Sequence, residues 1–174
     1  VVDAYDKTIS ALSNKGMTVT VILLNDWNPN TPDLIYPGTQ KSSNAFYYMF
    51  NAETESVFEQ TKAIASFLAD HYSGSNSSYG KVSNWIIGNE INNQQWNNMG
   101  ATDLTSYVKA YQKAFRVIYT AIKSTNANDR VYFSLDYNWM NEIDGKLKYG
   151  GKQIVDSFNS IANTEGQMDW GLAY

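Results

Sequence analysis

Two adjacent side chains, Asn89 and Glu90, close the run KVSNWIIGNEIN from Lys81 to Asn92. An amide that donates and accepts can hold a polar substrate, and the neighbouring carboxyl can protonate a leaving group. The isoleucines and tryptophan before them suit an apolar β segment, so the polar pair is costly to bury unless something satisfies it. Gly88 lets backbone or ligand come close. Strand alternation sends Asn89 and Glu90 in different directions, so at most one points straight along the strand end and the other reaches from the bend. Partial burial near Trp85, Trp96 or Trp139 would raise the Glu90 carboxyl toward the range of a general acid at neutral pH. The alternative reading makes Glu90 a helix-capping or loop-closing carboxylate and Asn89 a turn residue satisfying its own backbone.

Similar choices arise at other segment ends. Asp26 and Trp27 offer a hydroxyl acceptor and a stacking platform, or a turn start before Asn28–Pro29 and a lid. Asp136 and Trp139 offer the same alternatives, and Tyr174 closes the final segment. An indole can stack on the apolar face of a sugar while amides and carboxylates fix its hydroxyls, which gives these tryptophans more functional weight than tyrosines on helices. Tyr47, Tyr48, Tyr111 and Tyr119 read as packing residues.

Several chemistries are excluded. The chain has no cysteine, hence no disulfide, thiolate nucleophile or cysteine-ligated metal. His71, the only histidine, lies late in a helical stripe and reads as a capping or surface residue, so neither a zinc site nor a Ser-His-Asp set is expected. The acidic run from Asp136 to Leu147 is not a calcium loop, because Gly145 falls at its tenth position instead of the sixth. No metal and no cofactor is expected.

Positioning these groups falls to an alternation of helices and strands. Residues Asp3–Gly16 read as a helix through Tyr5, Ile9 and Leu12, and Met17–Asp26 as a strand apolar on both faces. Residues Trp27–Phe50, with all three prolines, read as a long irregular loop of the kind that shapes a binding site. Asn51–Tyr72 is helical with a stripe at Val57, Ile64 and Leu68, and Ser73–Gly80 is a surface turn. After the strand ending at Gly88, Ala101–Asn126 gives a helix with Leu104, Val108, Tyr111, Phe115, Ile118 and Ile122 on one face and Thr102 as N-cap. Arg130–Trp139 reads as a strand, Lys152–Gly166 as a helix and Met168–Tyr174 as a fourth strand. The order α, β, α, β, α, β, α, β calls for a parallel sheet with right-handed crossovers. No glycine-rich phosphate turn follows any strand, and each strand ends in polar or aromatic residues, so a TIM (β/α)8 barrel is favoured over a nucleotide-binding doubly wound sheet. A full barrel takes about 250 residues, so the 174 residues here are expected to form an incomplete one.

The 43% hydrophobic content fits a globular chain, and a net charge of −4 with dispersed basic residues gives no grip on nucleic acid or an anionic membrane. No apolar run reaches the length of a membrane span, and the opening residues lack the pattern of a signal peptide, which is expected to have been removed or left out. The abundance of Asn, Ser, Tyr and Trp leans toward a secreted, extracellular bacterial protein that meets neutral polar ligands. The Asn76–Ser78 tripeptide matters as a glycosylation sequon only in a eukaryotic secretory pathway.

The run Trp85–Asn92, WIIGNEIN, resembles the fourth-strand signature of the clan A glycoside hydrolases, and with the following WNNMG (Trp96–Gly100) it is most similar to a poorly characterised bacterial group of barrel proteins related to that clan. The resemblance implies that residues 1–174 are a partial (β/α)8-barrel catalytic domain holding roughly strands three to six. It makes Glu90 the acid/base and Asn89 a hydrogen-bonding partner of the sugar beside the scissile bond. It implies retaining hydrolysis of O-glycosidic bonds in a polysaccharide or oligosaccharide, with the nucleophile, carried on the seventh strand of clan members, outside these residues. A barrel that binds carbohydrate without cleaving it is the alternative. Isolated, such a fragment is expected to associate through its exposed barrel edges.

Overall fold

The structure, a computed structural model, describes residues 2–143 and 145–173. Its helices and strands alternate as α1 (Val2–Ser13), β1 (Thr20–Leu23), α2 (Glu55–His71), β2 (Asn84–Ile87), α3 (Leu104–Thr125), β3 (Arg130–Ser134), α4 (Gly151–Glu165) and β4 (Trp170–Ala173), with a 3-10 turn at Pro32–Leu34. The four strands pair in parallel in the order β1-β2-β3-β4. Sequence order and spatial order coincide, so the sheet has no point at which the winding reverses, as a doubly wound sheet does. Helices α2, α3 and α4 pack in the same succession. Four parallel strands alternating with four helices in this way fit an arc of a (β/α) barrel.

One face of the sheet carries the core. Val21, Leu23, Trp85, Ile87, Val131, Phe133, Trp170 and Leu172 alternate along the strands and pack with Tyr111, Phe115 and Ile118 of α3 and Ile154 and Phe158 of α4. The opposite face is unevenly covered among the described residues, with Ile86 of β2 buried. There Ile22 is exposed, Asn84 Nδ2 donates to Thr20 Oγ1 at 3.0 Å, and the Tyr132 ring crosses Gly171, where a Cβ would meet it at 2.8 Å. The sequence expectation of a β1 segment covered on both faces therefore holds on one face only.

The helix stripes differ in detail from the expectation. On α2 the buried residues are Val57, Thr61, Ala65 and Ala69, while Ile64 and Phe67 are exposed. On α1 only Ile9 is buried; Tyr5 and Leu12 face outward. The α3 stripe is as expected, but its N-cap is Asp103, not Thr102: the carboxylate accepts from Ser106 N at 2.9 Å and Ser106 Oγ at 2.8 Å. A carboxylate also complements the positive helix end better than a hydroxyl does.

Two anchors stand away from the C-terminal ends of the strands. Trp85 Nε1 donates to Asp129 Oδ2 at 2.9 Å, which fixes the start of β3 to the start of β2. Trp85 is therefore tied to the N-terminal end of its strand and is no neighbour of Glu90. His71 is neither a cap nor a surface residue: its Nε2 lies 2.8 Å from Asp6 Oδ1 and its ring stacks on Tyr79, tying α1 to α2. Burial works against ionisation of Asp6, but hydrogen bonds from His71 and Tyr72 outweigh it and hold the carboxyl below its usual range.

Candidate active site

Parallel strands bring their C-terminal ends to one end of the sheet, the end at which barrel proteins build their sites. At the end of β2 the chain makes a sharp bend. Gly88 has φ +75° and Glu90 φ +42°, making Glu90 the one non-glycine residue with positive φ among those described. A Cβ at Gly88 would lie 2.8 Å from Ile91 Cγ2. A left-handed conformation at a residue such as Glu90 costs about 1–3 kcal/mol and persists only where the surroundings impose it.

Hydrogen bonds from β3 and α3 impose it on this bend. Ser134, the last residue of β3, accepts from Glu90 N through its Oγ at 2.9 Å and from Ile91 N through its carbonyl at 3.0 Å. The same hydroxyl lies 3.4 Å from Asn89 Oδ1. From the helix side, Tyr111 donates to the Ile87 carbonyl and Tyr107, one turn earlier on α3, donates to the Ile91 carbonyl, each at 2.5 Å. Asn97 Nδ2 in turn donates to Tyr107 Oη at 2.8 Å. Burial pushes both phenols well above their usual range, so they serve as neutral donors. The bend is thus gripped at both ends and in the middle. What it presents is the half-buried side chain of Glu90, whose carboxylate has no hydrogen-bond or ion-pair partner among the described residues, next to an Asn89 whose Nδ2 is likewise unengaged there.

The remaining candidates each have surroundings of their own. Asp136 is 5% exposed, and its carboxylate accepts from Asn92 Nδ2 (2.6 Å), Asn138 N (2.9 Å), Asn138 Nδ2 (3.0 Å) and Lys148 Nζ (2.8 Å). Burial opposes its ionisation, yet Lys148 and the two asparagines prevail and hold the carboxyl below its usual range. Its own amide returns a bond to Asn92 Oδ1 at 2.8 Å, so Asp136 ties the loop after β2 to the loop after β3. Trp139 packs partly buried at the start of α4, where a Cβ on Gly151 would meet its ring at 3.2 Å. Asp26 is exposed and accepts from Trp27 N at 2.6 Å. Trp27 leans on Tyr48, with ring centroids 5.2 Å apart, and lines a cleft between the loop after β1 and the start of α2. Tyr174 lies outside the described residues.

Sequence reading missed Ser134, the polar functions of Tyr107 and Tyr111, and the packing of Trp96, named there as a neighbour of Glu90, against Phe46 and Tyr47. In that group Trp96 meets Phe46 at 4.8 Å and Tyr47 at 6.3 Å, where the loops after β1 and β2 zip together through Met49 N to Asn98 O and Asn98 N to Tyr47 O. A serine ending the apolar run RVYFS was the available signal for Ser134.

Among the described residues no group of three or more His, Cys, Asp or Glu is placed to hold a metal ion, and no helix is long and apolar enough to cross a membrane. The fold and site define an α/β protein of barrel-arc type, an architecture shared by enzymes and binding proteins. The chain belongs to a family described as a family of unknown function (DUF5722), whose model matches residues 1–174. Among curated proteins, none matches it.

Proposed function

We propose that this chain carries the acid/base half of a glycoside hydrolase site, with Glu90 as the proton-transferring carboxyl and Asn89 as the group that holds the adjacent sugar. One observation carries the reading: a carboxylate unpartnered among the described residues at the C-terminal end of a parallel strand, in a left-handed bend that Ser134, Tyr107 and Tyr111 hold in place. A carboxyl used only to close a loop would be expected to have a partner. In a retaining mechanism Glu90 would protonate the glycosidic oxygen as that bond breaks, then take a proton from the water that releases the sugar. The nucleophile, a second carboxylate about 5–5.5 Å away, would come from residues outside this segment.

Hydrolysis of aryl glycosides and neutral polysaccharides by the full-length protein tests this, with Glu90→Gln as the control. Turnover that falls by about 10²–10⁴-fold in the variant supports the proposal, and turnover that persists unchanged removes it. Binding of oligosaccharide without turnover in either protein would favour a carbohydrate-binding barrel instead. The fragment alone is expected to associate through the unpaired edges of β1 and β4, which size-exclusion chromatography reads directly.

A further inference from the structure

The loops that follow β1, β2 and β3 are joined edge to edge beyond the C-terminal ends of the strands. Phe46 N donates to the Gln95 carbonyl at 2.7 Å and Gln94 N to the Leu147 carbonyl at 2.9 Å, so one continuous rim crosses the three strand ends. The turn that starts at Glu90 leads into it. Asn93 N donates to the Glu90 carbonyl at 2.9 Å, and Trp96 N to the Asn93 carbonyl at 2.9 Å.

The side chains this rim exposes are large and apolar: Phe46 is 52% exposed, Leu147 55% and Tyr137 87%. Neither ring stands on a loose tip. Phe46 leans on the half-buried Trp96, with ring centroids 4.8 Å apart. Tyr137 directly follows Asp136, whose carboxylate and amide are both bonded to Asn92. Lys148 Nζ lies 5.4 Å from the centroid of the Tyr137 ring and 2.8 Å from Asp136 Oδ2. The tyrosine is thus backed by a cation whose charge is already answered, and most of its surface is left to solvent. An aromatic ring held in place before a ligand arrives loses little freedom on binding it.

Two features select the occupant. Asn93 and Gln95, between the aromatic positions, carry neutral amides, and the Glu90 carboxylate would repel an anionic chain. Neighbouring parallel strands lie about 4.8 Å apart, so a rim over three strand ends runs about 10 Å, more than one sugar ring covers. Phe46 lies on the loop after β1 and Tyr137 on the loop after β3, one on each side of the strand that ends at Glu90.

We propose that this rim is a track for successive residues of an extended, neutral polysaccharide, with Phe46 and Tyr137 as stacking platforms on the two sides of the Glu90 turn. Such a track places the bond that meets Glu90 inside the chain and so specifies internal cleavage. That consequence rests on the glycosidase reading, whereas the track can bind whether or not Glu90 is the acid.

Isothermal titration of full-length Glu90→Gln protein with the di-, tetra- and hexasaccharides of cellulose, xylan, mannan and β-1,3-glucan tests it, each repeated with Phe46→Ala and with Tyr137→Ala added. In at least one series affinity is expected to rise about tenfold or more from disaccharide to hexasaccharide, and each alanine variant to flatten that rise by about fivefold with Tm little changed. Affinity independent of length, binding in none of the four series, or variants that bind the hexasaccharide as tightly as their parent overturn the proposal. So does self-association in sedimentation that Phe46→Ala abolishes, which would make the rim an interface between copies. The two readings fail separately. Polysaccharide hydrolysis lost in Glu90→Gln, with binding indifferent to both alanine variants, leaves the acid/base reading standing and removes the track. Length-dependent binding that the variants flatten, with hydrolysis indifferent to Glu90→Gln, does the reverse.

Discussion

Ser134 Oγ lies 2.9 Å from the Glu90 amide and accepts its hydrogen bond across the β2–β3 pair. A strand that has ended still dictates the backbone of its neighbour's bend. Replacing Ser134 with alanine leaves that amide without its acceptor and is expected to cost about 1 kcal/mol of stability, together with a fall in kcat larger than any change in KM. Ser134→Thr keeps the hydroxyl and should recover most of both. Denaturant titration and steady-state kinetics on the three proteins check this.

The left-handed Glu90 makes stability and activity move in opposite directions. Glycine adopts φ +42° without a Cβ penalty, so Glu90→Gly is expected to match or exceed the stability of Glu90→Gln by about 1 kcal/mol while being equally inactive. Thermal unfolding of the pair is the measurement. A clearly less stable glycine variant would mean that the bend is not strained.

Tyr107 holds the bend from the far side. Tyr107→Phe removes the donor to the Ile91 carbonyl and leaves Asn97 Nδ2 without its acceptor. Both losses occur in a fully buried place, so a destabilisation of about 1–3 kcal/mol is expected. Urea unfolding reads it, and hydrogen exchange at Ile91 and Asn93 should speed up before the β2 amides do.

Asp136 sets an acid limit on the fold. Its carboxyl is held below the usual value by Lys148, Asn92 and Asn138 against the opposing effect of burial. A depressed folded-state pKa means stabilisation that is fully present above the unfolded carboxylate value of about 3.9 and is lost as pH falls through the folded value. Stability is therefore expected to decline below about pH 4. Asp136→Asn should flatten that decline and cost about 2 kcal/mol at pH 7 by unpairing Lys148 and disturbing the exchange with Asn92. Unfolding curves at pH 7 and below pH 4 decide it.

How much of this was legible in the sequence depended on whether the information was local. The 22 residues of α3 carry enough turns for their period to reveal the buried face, and short β-branched or aromatic runs located all four strands. On α2, hydrophobicity pointed to Ile64, whereas the face turned inward carries the smaller Thr61 and Ala65. Asn89 and Glu90 stood out because polar residues ended an apolar run. Asp136 stood out for the same reason, yet its carboxylate is taken up by Asn92, 44 residues earlier, and by Lys148. Composition could not separate a free carboxylate from an engaged one.

The central claim is that Glu90 donates the proton to the departing sugar oxygen. It is tested most directly by comparing full-length wild type and Glu90→Gln on two aryl glycosides that differ only in the leaving group, 2,4-dinitrophenol and an unactivated phenol. The account predicts a small loss of kcat/KM with dinitrophenol, which leaves without protonation, and a loss of about 10²–10⁴-fold with the phenol that needs it. Equal effects on both substrates, or none, would contradict it.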